Sequence, residues 1–176
     1  MTDDDIADEN EPEDDNPGGN EDSVEAKITR QMEGMPPWGI ILMVLAGAVA
    51  LEWLVPWSLP TIAWWDVLGF ITIVVALIII GGSAWQIKKT RDESEDGAHT
   101  LLSDGFFQYS RNPIYMGILL AFVGAGLAEN STWLVLASVA AFMGISRFVI
   151  EREEAALEDE FGADYVAYKD STRRWL

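Results

Sequence analysis

Two short clusters carry the residue types from which a site for a charged small molecule can be built. The first is Arg111-Asn112-Pro113-Ile114-Tyr115-Met116-Gly117, where a charged loop meets an apolar run; the second is Arg152-Glu153-Glu154, where another apolar run gives way to acids. Proline at the first helical position loses no hydrogen bond, because that N–H has no intrahelical partner, and its fixed φ suits a helix. A helix is therefore expected to begin at Pro113. Arg111 and Asn112 then stand beside a helix N-terminus, whose partial positive charge attracts anions. The plainer reading is that arginines and glutamates flanking apolar runs are snorkelling anchors and surface pairs.

The elements that must position these clusters are apolar runs of membrane length. Residues 38–57 carry Glu52 as their one charge and tryptophans at both ends, as interfacial anchors do. Residues 62–85 make a second run, separated from the first by the turn Ser58-Leu59-Pro60-Thr61. Residues 114–128 and 132–150 make two more, joined by Glu129-Asn130-Ser131. The pattern predicts an all-α membrane protein of four transmembrane helices arranged as two hairpins. Because the last two runs form a hairpin, Ser103, Asp104, Gly105, Arg111 and Asn112 are expected beside Arg147, Arg152, Glu153 and Glu154.

The third run is short. At about 1.5 Å per residue it reaches only about 22 Å, against a hydrocarbon core of roughly 30 Å, so its polar start would sit below the surface. After the fourth run no proline interrupts the chain from Thr132 to Phe161, so that helix is expected to leave the bilayer and stop at Gly162. Residues 155–168 would then lie along the interface. Gly117, Ala121 and Ala125, with Ala137, Ala141, Ala140 and Gly144, read as small-residue stripes packing the second hairpin. Glu52 and Asp66 fall toward the outer ends of their runs, where interfacial solvation accounts for them.

Every lysine and arginine lies outside the two hairpin turns. Lys27 and Arg30 precede the first run; Lys88, Lys89, Arg91 and Arg111 separate the second from the third; Arg147, Arg152, Lys169, Arg173 and Arg174 end the chain. The positive-inside bias thus places both termini and the middle loop in the cytoplasm of an integral protein of the cell membrane. The net charge of -18 sits beside 49% apolar residues because the two are segregated. Thirteen of the 29 acids fall in residues 1–34 against Lys27 and Arg30. That tail, with no aromatic residue, is expected to be disordered, ahead of a membrane domain over 35–176 that ends in a cytoplasmic helical segment. An acidic amino end does not fit a signal peptide.

The same composition argues against nucleic acid as a partner. With no cysteine and one histidine, His99, the chain has no disulfide, no thiolate and no multi-histidine metal site, and no metal is expected.

The ordered set Gly105-Phe106-Phe107-Gln108-Tyr109-Ser110-Arg111-Asn112-Pro113-Ile114-Tyr115-Met116-Gly117, then Arg152-Glu153-Glu154-Ala155-Ala156-Leu157, then Phe161-Gly162-Ala163-Asp164-Tyr165-Val166-Ala167-Tyr168 with Arg174 near the end, resembles a known superfamily. It is that of the integral-membrane isoprenylcysteine carboxyl methyltransferases and phospholipid methyltransferases, and the resemblance covers residues 100–176. It implies S-adenosylmethionine as cofactor, held without a Rossmann sheet by Gly105, Arg111, Asn112, Pro113, Tyr115, Glu153 and Glu154. Arg111 would pair with the methionine carboxylate. Glu154 would accept from the cofactor's ammonium or ribose hydroxyls, orient the acceptor, or act as base.

Arg111 and Glu154 are thus the catalytic candidates. Asn112 stands where many relatives carry histidine, and an amide does not exchange a proton near neutral pH. The acceptor would be lipophilic and enter from the bilayer, either an isoprenylcysteine-type carboxylate or a phospholipid amine. The reading from another class is a non-catalytic membrane scaffold whose acidic tail recruits a partner.

Overall fold

The computed structural model describes residues 36–60, 62–93 and 100–176; the acidic tail expected over 1–34 lies outside them, as does His99. Among the described residues every element is helical, apart from one isolated antiparallel bridge between Ser58 and Ser131. Helix α1 spans Pro37–Leu54 and α2 spans Trp65–Glu93. A single 3-10 turn, Gly105–Gln108, precedes α3, Pro113–Ala128, and α4, Thr132–Ile145. A π-helical turn, Ser146–Ile150, leads into α5, Glu151–Phe161, and then α6, Ala163–Ser171.

The boundaries follow from local chemistry. Pro37 opens α1 and Pro113 opens α3 at positions where no N–H is needed. α1 stops at Leu54, short of the expected Trp57, because Pro56 disfavours helix in the residue before it. Ser131 caps α4, its Oγ accepting from the Leu134 N–H at 3.3 Å. α2 runs eight residues past the expected 85, to about 43 Å at roughly 1.5 Å per residue, longer than a hydrocarbon core.

α1, α2 and the continuous stretch Thr132–Phe161 are long and apolar enough to cross a membrane; α3, at 16 residues, is apolar but shorter. Their outer faces leave Leu42, Phe70, Leu77, Ile78 and Met143 exposed. Contiguous apolar surface on that scale belongs in lipid. The buried core is correspondingly thin: Ile40, Ala48, Phe122, Ala137, Ala141, Ile145, Val149 and Ile150.

The packing order departs from two separate hairpins. α3 packs on α4 as expected, but α1 packs chiefly against α4 and α2 against α3, so the first two helices flank the second pair on opposite sides. The small residues account for this. A Cβ on Gly69 would come within 2.5 Å of the Ala128 backbone N, and one on Gly124 within 2.9 Å of the Gly69 carbonyl. One on Gly117 would meet Ile80 at 2.6 Å. Gly117 and Gly124 therefore serve the α2–α3 contact rather than the α3–α4 one, while Ala137 and Ala141 are buried in the core with Ile40.

At the end away from the charged clusters the two turns are stitched together. The Thr132 N–H donates to the Trp57 carbonyl at 2.9 Å and Leu59 N–H to Asn130 at 3.2 Å. The Trp133 indole donates to Val55 at 2.8 Å, and Ser131 Oγ donates to the Glu52 carboxylate. Glu52 is thus satisfied by a neighbouring helix cap.

The helix does run unbroken from Thr132 to Phe161 and stops at Gly162, which adopts φ 53°, a conformation suited to glycine. Beyond it α6 packs against α5 and buries Tyr165, 1% exposed, and Tyr168, whose hydroxyl reaches the 105–112 loop at Phe107.

Candidate functional site

The 105–112 loop is fixed to the far end of α2. Gly82 lacks the Cβ that would collide with the Phe106 ring at 2.4 Å, so the ring packs directly against the helix. Gln86 Nε2 donates to the Asp104 carbonyl and to Asp104 Oδ1, both at 2.9 Å, and Gln86 Oε1 accepts from the Phe106 N–H at 3.3 Å. Gly105 sits in this clasp with φ 58°. α3 starts where Pro113 allows, and the Asn112 carbonyl accepts from Met116 N–H at 3.1 Å.

On the facing side, the π-helical turn carries α4 into α5 so that Glu153 and Glu154 both point at the start of α3. Such turns, one residue wider than an α-turn, re-aim the side chains that follow. Glu153 Oε1 accepts from the Tyr115 hydroxyl at 2.7 Å. Glu154 is 7% exposed and receives two guanidiniums. Arg174 Nε and Nη2 donate to its Oε1 at 3.0 Å and Oε2 at 2.6 Å, and Arg111 Nη1 lies 3.0 Å from Oε1.

The Arg111 contact is an ion pair without hydrogen-bond alignment. Its side chain is only 10% exposed, yet neither Nε nor Nη1 has a hydrogen-bond acceptor. Buried charged donors without acceptors are costly.

These groups border a cavity of about 340 Å³, within the roughly 300–1,000 Å³ of small-molecule sites. Arg111, Asn112, Pro113 and Tyr115 form one wall and Glu153, Glu154, Tyr165 and Tyr168 another; apart from Thr100 the remainder is apolar, made by Ile87, Leu101, Leu102, Phe107, Ile114, Leu157 and Phe161. Tyr168 donates to the Phe107 carbonyl at 2.6 Å. Burial pushes its phenol up to about 12, against a smaller opposing pull from Arg111. Burial and then the Glu154 charge raise Tyr165 as well. Both therefore stand as neutral phenols through the ordinary pH range.

Six of the seven residues read from the sequence, Arg111, Asn112, Pro113, Tyr115, Glu153 and Glu154, thus line one cavity. Gly105 does not. It borders a separate groove on the other side of the loop with Trp85, Lys89 and Tyr109, and its part in the site is to let the loop turn. Tyr165, Tyr168 and Arg174 belong to the ordered motif, yet nothing local in the sequence marks them as site residues. Their meaning depends on the fold-back at Gly162.

Residues 64–164 match the family model described as phospholipid methyltransferase, and the chain belongs to that family. The matched stretch holds α2 through α5, hence all of the cavity's polar wall except Tyr165 and Tyr168. Protein-S-isoprenylcysteine O-methyltransferase of Saccharomyces cerevisiae is 29% identical over 104 residues, 59% of this chain and 42% of that protein. Protein-S-isoprenylcysteine O-methyltransferase B of Arabidopsis thaliana is 32% identical over 105 residues, 58% of this chain and 50% of that protein. An uncharacterized protein of Haemophilus influenzae is 35% identical over 63 residues, its whole length and 36% of this chain. The chain therefore spans half or less of the two named methyltransferases it matches. No solved structure matches it.

Proposed function

We propose that this protein is an S-adenosylmethionine-dependent methyltransferase of the cell membrane that acts on a lipophilic acceptor. The observation that carries the reading is Arg111: a guanidinium that borders the cavity, with its Nε and Nη1 buried and without hydrogen-bond acceptors. A guanidinium suits a carboxylate, and the methionine end of the cofactor supplies one. Family membership gives the reaction class in which such a ligand belongs.

The rest of the cavity fits the same group. Glu153, oriented by Tyr115, presents a carboxylate that suits the ligand's ammonium. The aromatic and aliphatic wall of Phe107, Leu157 and Phe161 suits an adenine ring. When bound, the cofactor supplies a methyl group on a sulfonium, which an acceptor oxygen, sulfur or nitrogen takes without the help of a metal.

The protein's contribution is positioning and exclusion of water. Arg111 and Glu153 fix one end of the ligand, and the apolar wall strips water from the reacting pair, which favours a step in which opposite charges meet and cancel. Glu154 accepts from Arg174 through both oxygens, so its carboxylate is committed to holding guanidiniums. Where the acceptor is an amine that must lose a proton, Glu153 is the better-placed base. The relatives named above are isoprenylcysteine enzymes and the family model is that of phospholipid methyltransferases, so a prenylcysteine-type carboxylate is the first acceptor to try and a phospholipid amine the second.

In this reading α3 is the fourth, short span, its start sunk below the surface where the cofactor enters from the cytoplasm. Both chain ends share that side. Isothermal calorimetry with adenosylmethionine tests the site. Wild type is expected to bind. Arg111→Ala should lose roughly 10-fold or more, as the removal of a hydrogen bond to a charged group worth about 1.5–3 kcal/mol requires. Wild-type affinity in Arg111→Ala would overturn the site, and no binding by wild type would favour the scaffold.

A further inference from the structure

Residues 172–176 run back across the start of α3 and are held there by the residues on either side of the Arg111 side chain. The Arg111 N–H donates to the Arg173 carbonyl at 3.0 Å. The Arg174 carbonyl receives two donors, Ser110 Oγ and Asn112 Nδ2, each at 3.2 Å. Ser110 is fully buried and Asn112 nearly so. Trp175 packs on Phe142 of α4 with ring centroids 5.0 Å apart. The strap so anchored delivers the Arg174 guanidinium to both oxygens of Glu154, although Arg174 itself does not line the cavity.

Glu154 thereby has two suitors and satisfies one of them. Arg174 takes it in the two-pronged geometry that a carboxylate and a guanidinium prefer. Arg111, 3.0 Å from the same Oε1, is left out of line, its Nε and Nη1 without acceptors.

We infer that Arg174 is a positioning residue that keeps Arg111 available to an anionic ligand by occupying Glu154, and that Ser110 and Asn112 hold it in place through its carbonyl. This gives Asn112 a role for which an amide is suited and proton exchange is irrelevant: Nδ2 donates to a main-chain carbonyl at every ordinary pH. Without Arg174, Glu154 turns its two oxygens on Arg111, and the guanidinium that borders the cavity is consumed by an internal pair.

The inference rests on the proposed cofactor site, and the two are separable. In the unliganded protein in detergent micelles, the Arg111 Nε–H resonance, assigned by its absence in Arg111→Lys, is expected to shift in Arg174→Ala. It should move back toward its wild-type position in Arg174→Ala/Glu154→Gln, which lacks the competing carboxylate. In calorimetry with adenosylmethionine, Arg174→Ala should weaken binding about 10-fold, a change of ~1.4 kcal/mol, and the double substitution should recover most of it. A merely structural role for Arg174 predicts no such rescue.

Asn112→Ala, which leaves every charge in place, should shift the Arg111 resonance in the same direction and weaken binding several-fold. An Arg111 resonance unmoved in both Arg174→Ala and Asn112→Ala overturns the inference whether or not the cofactor binds. So does a double variant that binds no better than Arg174→Ala when wild type binds. Failure of wild type to bind adenosylmethionine, with the resonance shifts as expected, would instead overturn the cofactor reading alone.

Discussion

Two adjacent glutamates do different work because their partners differ. Glu154 meets guanidiniums and is nearly buried, while Glu153 meets a phenol across the cavity. Removing one partner of a buried ion pair leaves an uncompensated charge and costs about 3–5 kcal/mol, so Glu154→Ala should lower the melting temperature sharply. Glu153→Gln keeps shape and the Tyr115 contact, and should leave stability nearly unchanged while cutting methyl transfer; thermal unfolding and a methylation assay run side by side separate the two. Tyr168 gives a pH test. Its folded phenol lies above the ordinary value of about 10, so the folded state holds a proton that the unfolded state releases at high pH. Its contribution is fully present below pH ~10 and is lost as pH rises toward about 12. Stability measured across that window should fall more steeply for wild type than for Tyr168→Phe, the difference being this one phenol.

Helices α2 and α3 approach through glycines, and that contact sets the distance between the loop clasp at Gln86 and the start of α3. In lipid, close backbone approach replaces the hydrophobic driving force that water would supply. Gly69→Ala puts a Cβ 2.5 Å from a backbone nitrogen, which no rotamer change relieves, and should destabilise by about 1–3 kcal/mol or more. Gly47 and Gly81 have nothing within 4 Å of an added Cβ, so Gly47→Ala and Gly81→Ala should be neutral or slightly stabilising through helix propensity. Melting temperatures in one detergent compare all three. The apolar runs and the prolines that open α1 and α3 were legible because each is a local signal. What was not legible is the partner of each small residue: Gly117 shares a stripe with Ala121 and Ala125, and a stripe does not say which neighbour it faces. The π-helical turn at Ser146–Ile150 also has no local mark, since nothing in Ser-Arg-Phe-Val-Ile distinguishes it from an ordinary turn. Arg174 escaped for a similar reason, being brought to Glu154 by a reversal at Gly162 whose direction only tertiary packing decides.

At the scale of the whole molecule, charge and apolar surface divide along one axis. The end that carries the cavity also carries Lys88, Lys89, Arg91, Arg111, Arg147, Arg152, Lys169, Arg173 and Arg174, whereas the stitched turns at the other end carry Glu52, Asp66 and Glu129 and no lysine or arginine. Juxtamembrane cations resist translocation, and nine of them at one end set a strong orientation. The cavity should therefore open to the cytoplasm. The chain lacks cysteine, so single cysteines report position without further engineering. Glu129 and Asp170 are both exposed, one at the turn before α4 and one in α6. In intact cells a membrane-impermeant maleimide should label Glu129→Cys and leave Asp170→Cys untouched until the membrane is permeabilised. The reverse pattern would put the cavity on the outside, where adenosylmethionine is not made, and the cofactor assignment would fall with the orientation. Equal labelling of both in intact cells would mean that the Thr132–Phe161 helix does not cross the bilayer, and that the exposed apolar faces of α1 and α2 are covered by protein instead of lipid.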